Sequence, residues 1–283
     1  MPAHVDGITA DSLNTHYASV STDPQYAQPS HKSSCSPSFN QFVSELTIFR
    51  ILDKLRPTSI GLDSIPAWFL RLSAPIFCKP IAHLFNLSLS SSFVPPQWKH
   101  AWISPIPKVS SPMAPVDFRP ISITPILSRI MERLVVRQFL YPAFLSSPES
   151  LEFSDQFAFR PTGSTTSALV WFLHTITQLL TQHDYVIVLA LDFSKAFDTV
   201  RHSTLLDKLA HLDLSDHVYN WFVDFFSGHS HCTRFESKMS SFTDISASIR
   251  ALPSAQHCML FTPQTLYQKQ PVICYVNTRT TPT

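Results

Sequence analysis

The segment VIVLALDFSKAFDTV, residues 186–200, decides the fold class because it joins a short apolar run to two carboxylates. Val186 to Leu191 is continuous, rich in β-branched residues and short, which predicts a buried β-strand. Asp192 follows at once, and Asp198 lies a little further on. Carboxylates at the carboxyl end of a strand in an open sheet face the crevice where ligands bind. The segment therefore predicts an α/β protein with an acidic site at one edge of its sheet.

Taken alone, Asp192 has three interpretations. Carboxylate oxygens suit Mg²⁺, which takes one or two protein carboxylates and completes its shell with water and phosphate. Two-metal phosphoryl transfer needs at least one further carboxylate from elsewhere. An Asp after a strand can instead cap a helix or form a turn. A hydrolase that forms an aspartyl-phosphate is the third interpretation, and Ser194 disfavours it because a second Asp usually stands there.

Apolar residues at helical spacing predict a helix-rich chain around this strand. Helices are expected at residues 42–55, 65–93 (interrupted near Pro75 and Pro80), 121–140, 164–181, 203–212 and 217–226.

Three other segments lack a helical period. Residues 102–108, WISPIPK, are predicted to form an edge strand or an extended segment, because proline cannot donate to a central ladder. Residues 1–40 are rich in Ser, His, Pro and Gln, which predicts a disordered leader. After Ile249 the apolar residues follow neither a helical nor a strand period, so residues 250–283 are expected to be an irregular tail.

Composition excludes several classes of protein. Only 4 glycines stand against 23 prolines, which argues against a glycine-rich phosphate loop. The 5 cysteines are scattered without a metal-type pair, which favours reduced thiols. The sequence shows no signal peptide and no apolar run long enough to span a bilayer, so we expect an intracellular protein.

The net charge is only +1, but cations are concentrated in one stretch where only Asp117 and Glu132 oppose them. Such a stretch is compatible with a solvated surface or with phosphate contacts. Its cations are Lys99, Lys108, Arg119, Arg129, Arg133 and Arg137.

Several motifs together resemble the reverse transcriptase of non-LTR (LINE-like) retrotransposons. LDFSKAFDTVRHSTLLDKL (191–209) resembles its first catalytic motif, and DFRPISITPILSRIMERLV (117–135) its fingers motif. DQFAFRPTGSTTSAL (155–169) resembles the Q-x-G-F-R-x-x-x-S-T element, although Ala158 replaces the usual Gly. SIGLDSIPAWFL (59–70) and PIPK (105–108) match the lead-in, and all of these elements occur in the family's order.

The resemblance implies a role for each matching residue. Asp192 takes the place of the first metal-binding aspartate, with Mg²⁺ as the cofactor. Phe197 takes the place of the aromatic steric gate that favours deoxynucleotides; an ordinary core aromatic is the alternative. Lys108, Arg119 and Arg160 match basic residues that approach the triphosphate or the template, and surface cations or local salt bridges are their alternative.

The same resemblance implies the domains and partners. The expected fold is a right-hand polymerase's fingers and partial palm, with an RNA template, a DNA primer and deoxynucleotides as partners. Residues 41–100 are expected to lead into the fingers, 101–182 to form the fingers, and 183–249 to form part of the palm.

The family's next motifs, approximately Q-G-x-x-x-G-P and then A-D-D, are missing after Ile249. We therefore expect the chain to be cut off after the first catalytic palm motif and to be catalytically inactive, because the second acidic site is lost. We hypothesise that a frameshift near Ile249 explains the loss. With permitted codons, a shifted frame spells Q-G-S-A-I-G-P over residues 249–256 and K-Y-A-D-D-T-Y over residues 276–283.

Two other functional hypotheses remain open on the sequence alone. The chain could be a nucleic-acid-binding remnant that uses the basic stretch from Lys99 to Arg137 without chemistry. Alternatively it could have no function and fold poorly, because missing palm strands would leave Val186 to Leu191 unpaired.

Overall fold

The computed structural model describes residues 7–21, 29–33, 43–145, 157, 163–189 and 202–245. Within them, helices and one mixed sheet form, which confirms the α/β prediction at that level. The helices are α1 (Ala10–Val20), α2 (Glu45–Asp53), α3 (Ala67–Leu72), α4 (Ala74–Ser91), α5 (Ile126–Val135), α6 (Tyr141–Leu145), α7 (Thr165–Leu180), α8 (His202–Ala210) and α9 (Asp216–Phe225). The strands are β1 (His100–Pro107), β2 (Phe118–Ile123), β3 (His229–Phe235), β4 (Lys238–Met239) and β5 (Thr243–Ile245).

Most helices lie where the apolar period predicts them, and three short elements join them. A 3₁₀ turn at Pro96–Lys99 precedes β1, another at Pro115–Asp117 precedes β2, and a π-helical turn at Val136–Leu140 links α5 to α6. The predicted interruption near Pro75 is confirmed, because α3 ends at Leu72 and α4 begins with that proline in its first turn. Pro80, by contrast, lies inside α4 without ending it.

The main core lies between helices α2, α4, α5, α8 and α9. Trp221 of α9 is fully buried, stacks on Phe225 with ring centroids 4.8 Å apart, and donates its indole N–H to Ser88 Oγ of α4 at 2.9 Å. On α5, Ile126, Ile130 and Leu134 recur every fourth residue and are all buried. An apolar stripe of this kind drives a helix onto its neighbours.

The sheet has the order β2-β1-β3, and β3 also pairs with β4 and β5. β1 runs antiparallel to β2 over residues 102–107 and parallel to β3 over residues 100–103. The edge-strand prediction for residues 102–108 is therefore wrong for Trp102 and Ile103, which pair on both sides, and confirmed for residues 104–107, which pair with β2 alone. Pro105 and Pro107 lie beyond the reach of β3, which is where a residue without an N–H donor is tolerated.

The prediction of a disordered leader over residues 1–40 is wrong for α1. Thr9 Oγ1 accepts the Ser12 N–H at 3.1 Å and caps this helix. Leu13 and Tyr17, one turn apart, are buried in a second apolar cluster with Ile103 and Phe118. The segment was missed because two apolar residues in a polar context give too weak a period to predict a helix.

Asn14 fixes α1 to the strands. Its side-chain amide donates to Thr243 Oγ1 at 2.8 Å, and its carbonyl oxygen accepts from Thr233 Oγ1 at 2.9 Å. Residues 29–33 of the predicted leader are also docked. The Lys32 ammonium donates to the Ala210 carbonyl at 3.1 Å and lies 4.7 Å from the centre of the Tyr219 ring.

In the part of the chain that the structure describes, no helix is both long enough and apolar enough to cross a bilayer.

Candidate functional site

Lys108 and Arg119 lie at the same end of the β1–β2 pair. Arg119 pairs with Ile106 across the two strands, and the Lys108 N–H donates to the Asp117 carbonyl at 2.7 Å. Both side chains are exposed, and the Lys108 ammonium donates to the Val116 carbonyl at 2.7 Å. The β1–β2 pair therefore places two of the predicted phosphate-contacting cations at the same end of the sheet.

Asp117 organises the connection between these two strands. Its carboxylate accepts the backbone N–H groups of Met113 and Ala114, each at 2.9 Å. These two hydrogen bonds, with a smaller contribution from the Lys108 charge, lower the pKa of the Asp117 carboxyl below its usual value. The carboxylate is thus used to shape the loop, and Arg119 is left without an acidic partner among the described residues.

The other predicted site residues, Arg160, Asp192 and Phe197, lie outside the described residues. Within the described part of the chain, no group of three or more His, Cys, Asp or Glu side chains is arranged to hold a metal ion. The structure therefore brings together Lys108 and Arg119, and their relation to Asp192 stays a prediction.

The buried strand predicted at Val186 to Leu191 is wrong for residues 186–189. This stretch has no ladder partner in the described structure, and Ile187 and Leu189 are 45% and 56% exposed. The preceding helix α7 begins at its predicted cap, Ser164, yet none of its residues is buried. Apolar sequence alone does not create a strand, because a strand also needs neighbours to pair with.

Lys99 does not belong to a phosphate-binding surface. Its side chain is only 9% exposed, and its ammonium lies 2.9 Å from the carboxylate of Asp224 on α9. Asp224 also accepts the Val94 N–H at 2.7 Å. The prediction that the basic stretch begins at Lys99 is therefore wrong, because this cation is engaged in holding the start of β1 against α9.

A second basic surface, which we call the α2–α5 cleft, has a volume of about 490 Å³. Its floor includes the aliphatic side chains of Ile51, Leu55, Ile130 and Leu134. Its cations are Arg50, Lys54, Arg56, Arg129, Arg133 and Arg137, and no acidic residue lines it. The sequence pointed to the α5 half of this set only, since nothing in the pattern of residues 50–56 indicates that they face α5.

Arg129 is the half-buried member of the cleft. Its guanidinium donates to Thr58 Oγ1 at 2.7 Å and to the Ser59 carbonyl at 2.6 Å, which ties the loop after α2 to α5. Burial lowers the pKa of this guanidinium; Asp63 and Glu132 oppose the shift, and the like charge of Arg133 adds to it.

Comparison with known proteins identifies a family and three relatives of this chain. The family described as "Reverse transcriptase (RNA-dependent DNA polymerase)" matches residues 106–249. The chain is also 29% identical over 173 residues to the probable RNA-directed DNA polymerase from transposon X-element of Drosophila melanogaster, covering 60% of this chain and 18% of that protein. It is 30% identical over 153 residues to the RNA-directed DNA polymerase from mobile element jockey of the same organism, covering 54% and 16%.

A third relative, the probable RNA-directed DNA polymerase from transposon BS of Drosophila melanogaster, is 31% identical over 133 residues, covering 47% of this chain and 14% of that protein. In each of the three, the match spans less than a fifth of the relative's length. The chain therefore belongs to the reverse transcriptase (RNA-dependent DNA polymerase) family, and its resemblance to the non-LTR retrotransposon enzymes is confirmed.

Proposed function

We propose that this chain carries the fingers and the first part of the palm of a retrotransposon's RNA-directed DNA polymerase. The supporting observation is the family match over residues 106–249. It includes every motif from PIPK to the Asp192 segment except Pro105, the first residue of PIPK, and it does not reach the earlier lead-in at residues 59–70. An intact enzyme of this kind extends a DNA primer with deoxynucleotides on an RNA template.

Each site residue receives a proposed role on this basis. Asp192 is the residue of this chain that would bind Mg²⁺, which when bound neutralises phosphate charge during nucleotidyl transfer. Lys108, Arg119 and Arg160 would offset charge on the triphosphate or the template. Phe197 would crowd a ribose 2′-OH. The exposed, adjacent positions of Lys108 and Arg119 support their assignment.

We further propose that the chain does not polymerise by itself. The family match ends at Ile249, the residue from which a shifted reading frame spells the next motif. Without the aspartates of the A-D-D motif, a two-metal site lacks ligands. The unpaired residues 186–189 support the same proposal, because the strand that should present Asp192 has no neighbours in the described structure.

A frame-restored gene tests both parts of the proposal. Primer extension on an RNA template should be undetectable with this chain and should be measurable when the frame is corrected at Ile249 and read onward. Asp192→Asn in the restored protein should abolish the extension. Extension by the uncorrected chain, or restored activity that survives Asp192→Asn, would contradict the proposal.

A second candidate function is nucleic-acid binding without chemistry, and the α2–α5 cleft is the observation that favours it. Electrostatic binding of this type weakens steeply as salt increases. Salt-dependent RNA binding with no nucleotide incorporation would support this candidate for the chain as it stands.

A further inference from the structure

We infer that the α2–α5 cleft binds a single-stranded polynucleotide through its phosphates, at a site separate from the predicted nucleotide-binding residues. This inference rests on the nucleic-acid-binding candidate but requires neither Mg²⁺ nor polymerisation. The cleft is formed wholly by described residues, so it does not depend on Asp192.

The charges of the cleft are the first argument. Six cations and no acid line it, and their like charges repel one another unless an anion lies between them. The five exposed cations form no ion pair within the described part of the chain. They are Arg50, Lys54, Arg56, Arg133 and Arg137. Such a set of unpaired cations is suited to a polyanion.

The spacing of the charges is the second argument. Arg129 and Arg133 lie one turn apart on α5, and Arg137 follows four residues later in the π-helical turn; Arg50 lies in the last turn of α2, and Lys54 follows four residues later as its C-cap. With an α-helical rise of 1.5 Å per residue, Arg129 and Arg133 are separated by about 6 Å along the axis. This interval is close to that between successive phosphates of an extended strand, so several can be contacted at once.

The floor of the cleft favours a single strand over a duplex. Ile51, Leu55, Ile130 and Leu134 give apolar surface between the cations. A duplex keeps its bases stacked inside and would offer this floor only backbone, whereas an unpaired strand can lay base or sugar faces on it. No aromatic residue lines the cleft, so we expect little preference among base sequences.

Arg129 holds the cleft in shape instead of supplying a free charge. Its hydrogen bonds to Thr58 and Ser59 fix the loop that carries Arg56. For this reason the test leaves Arg129 unchanged and replaces only exposed cations.

The test measures fluorescence anisotropy of a labelled oligouridylate with the full chain, in EDTA and without nucleotides, between about 50 and 200 mM salt. Arg133→Gln/Arg137→Gln, the α5 variant, removes two charges from α5 and the π-helical turn after it, and Arg50→Gln/Lys54→Gln, the α2 variant, removes two from α2 and its C-cap. Arg71→Gln/Lys238→Gln, which removes two exposed cations outside the cleft, is the matched control. Equal thermal midpoints establish that all variants fold alike.

Each cleft variant should bind the oligouridylate roughly tenfold more weakly at about 0.1 M salt. The magnitude of the slope of log affinity against log salt should fall by about 1.4, because each lost phosphate contact on a single strand lowers it by about 0.7. The control should change neither. A parallel titration with oligodeoxythymidylate shows whether ribose or deoxyribose is preferred. Weaker binding of either oligonucleotide by the cleft variants supports the site.

Four results would overturn the inference. Equal losses in the cleft variants and the control would show that binding is diffuse, while leaving nucleic-acid binding itself intact. A loss confined to the α5 variant would show that α2 takes no part in the site. Equal, cleft-dependent binding of duplex RNA would exclude the single-strand assignment. Failure of the unaltered chain to bind either strand would remove this inference and the binding candidate together.

Discussion

At the scale of single residues, Asp224 is expected to be more important for stability than an exposed acid. It accepts hydrogen bonds from both the Val94 N–H and the Lys99 ammonium, and Lys99 is nearly buried. Asp224→Ala should lower the free energy of unfolding by about 3 kcal/mol, because it leaves a buried charge without a partner. Urea denaturation measures the loss.

Asp213→Ala is the control for this prediction, since Asp213 is exposed and makes no recorded ion pair within the described residues. Its effect should stay within about 0.5 kcal/mol. Similar losses in the two variants would mean that the Lys99–Asp224 pair is not a significant contact.

Two histidines of β3 are expected to make the free energy of unfolding depend on pH. Burial lowers the pKa of His229 and of His231 to about 4, from 6.5 for the unperturbed group. The unfolded chain therefore binds more protons than the folded chain between about pH 6.5 and 4. Stability is fully present above this window and falls within it by about 1.4 kcal/mol per pH unit for each such histidine.

His231→Leu tests the contribution of one histidine. Neither ring nitrogen of His231 has a hydrogen-bond partner among the described residues, so its loss leaves no group unsatisfied. The variant should be about as stable as the parent at pH 7 and lose stability less steeply towards pH 5, as measured by urea midpoints. An unchanged dependence on pH would show that His231 does not titrate in this window.

At the scale of elements, α1 is expected to contribute to stability although the sequence did not predict it. Leu13 is fully buried against the sheet with Ile103 and Phe118. Leu13→Ala should cost about 3 kcal/mol, through lost apolar contact and the cavity that remains. Thermal denaturation should show it, whereas Leu46→Ala, at a residue 55% exposed on α2, should have little effect. Equal midpoints for the two variants would mean that α1 does not pack as described.

Elements were predictable from sequence where the information is local. The period of Ile126, Ile130 and Leu134 indicates a helix whatever surrounds it, and Ser164 caps α7 as its position predicts. Strands depend on partners distant in the chain. β3 joins β1 through residues about 130 positions apart, a pairing that no local pattern reveals.

The residues of the candidate site also differ in how far the sequence could predict them. Lys108 and Arg119 were predictable as site residues because the motifs around them match the family, although no strand was predicted at residues 118–123, where Arg119 lies. The α2–α5 cleft was not, because Arg50 and Lys54 face α5 only after the helices pack. Lys99 was predicted to belong to the basic surface but is buried, because it forms an ion pair with Asp224, which lies far along the chain.

At the scale of the whole molecule, helix α7 and the segment after it leave apolar side chains uncovered in the described structure. Leu169 and Leu173 of α7 are 55% and 59% exposed, and Ile187, Val188 and Leu189 are 45%, 45% and 56% exposed. Exposed apolar side chains in this number mark a region of association or of missing structure. Under the proposed function, the strands that carry the A-D-D motif would cover this region in an intact relative.

Hydrogen exchange can decide whether missing neighbours leave this segment exposed. In the present chain, the amides of Ile187, Val188 and Leu189 should exchange rapidly, because the structure gives them no ladder partner. In the frame-restored chain the same amides should be strongly protected, since new strands would pair with them. Trp221, fully buried on α9, should be protected in both proteins and serves as the internal control. If residues 187–189 are already protected in the present chain, a partner strand exists without the restored segment, and our explanation for the proposed lack of polymerase activity would be wrong.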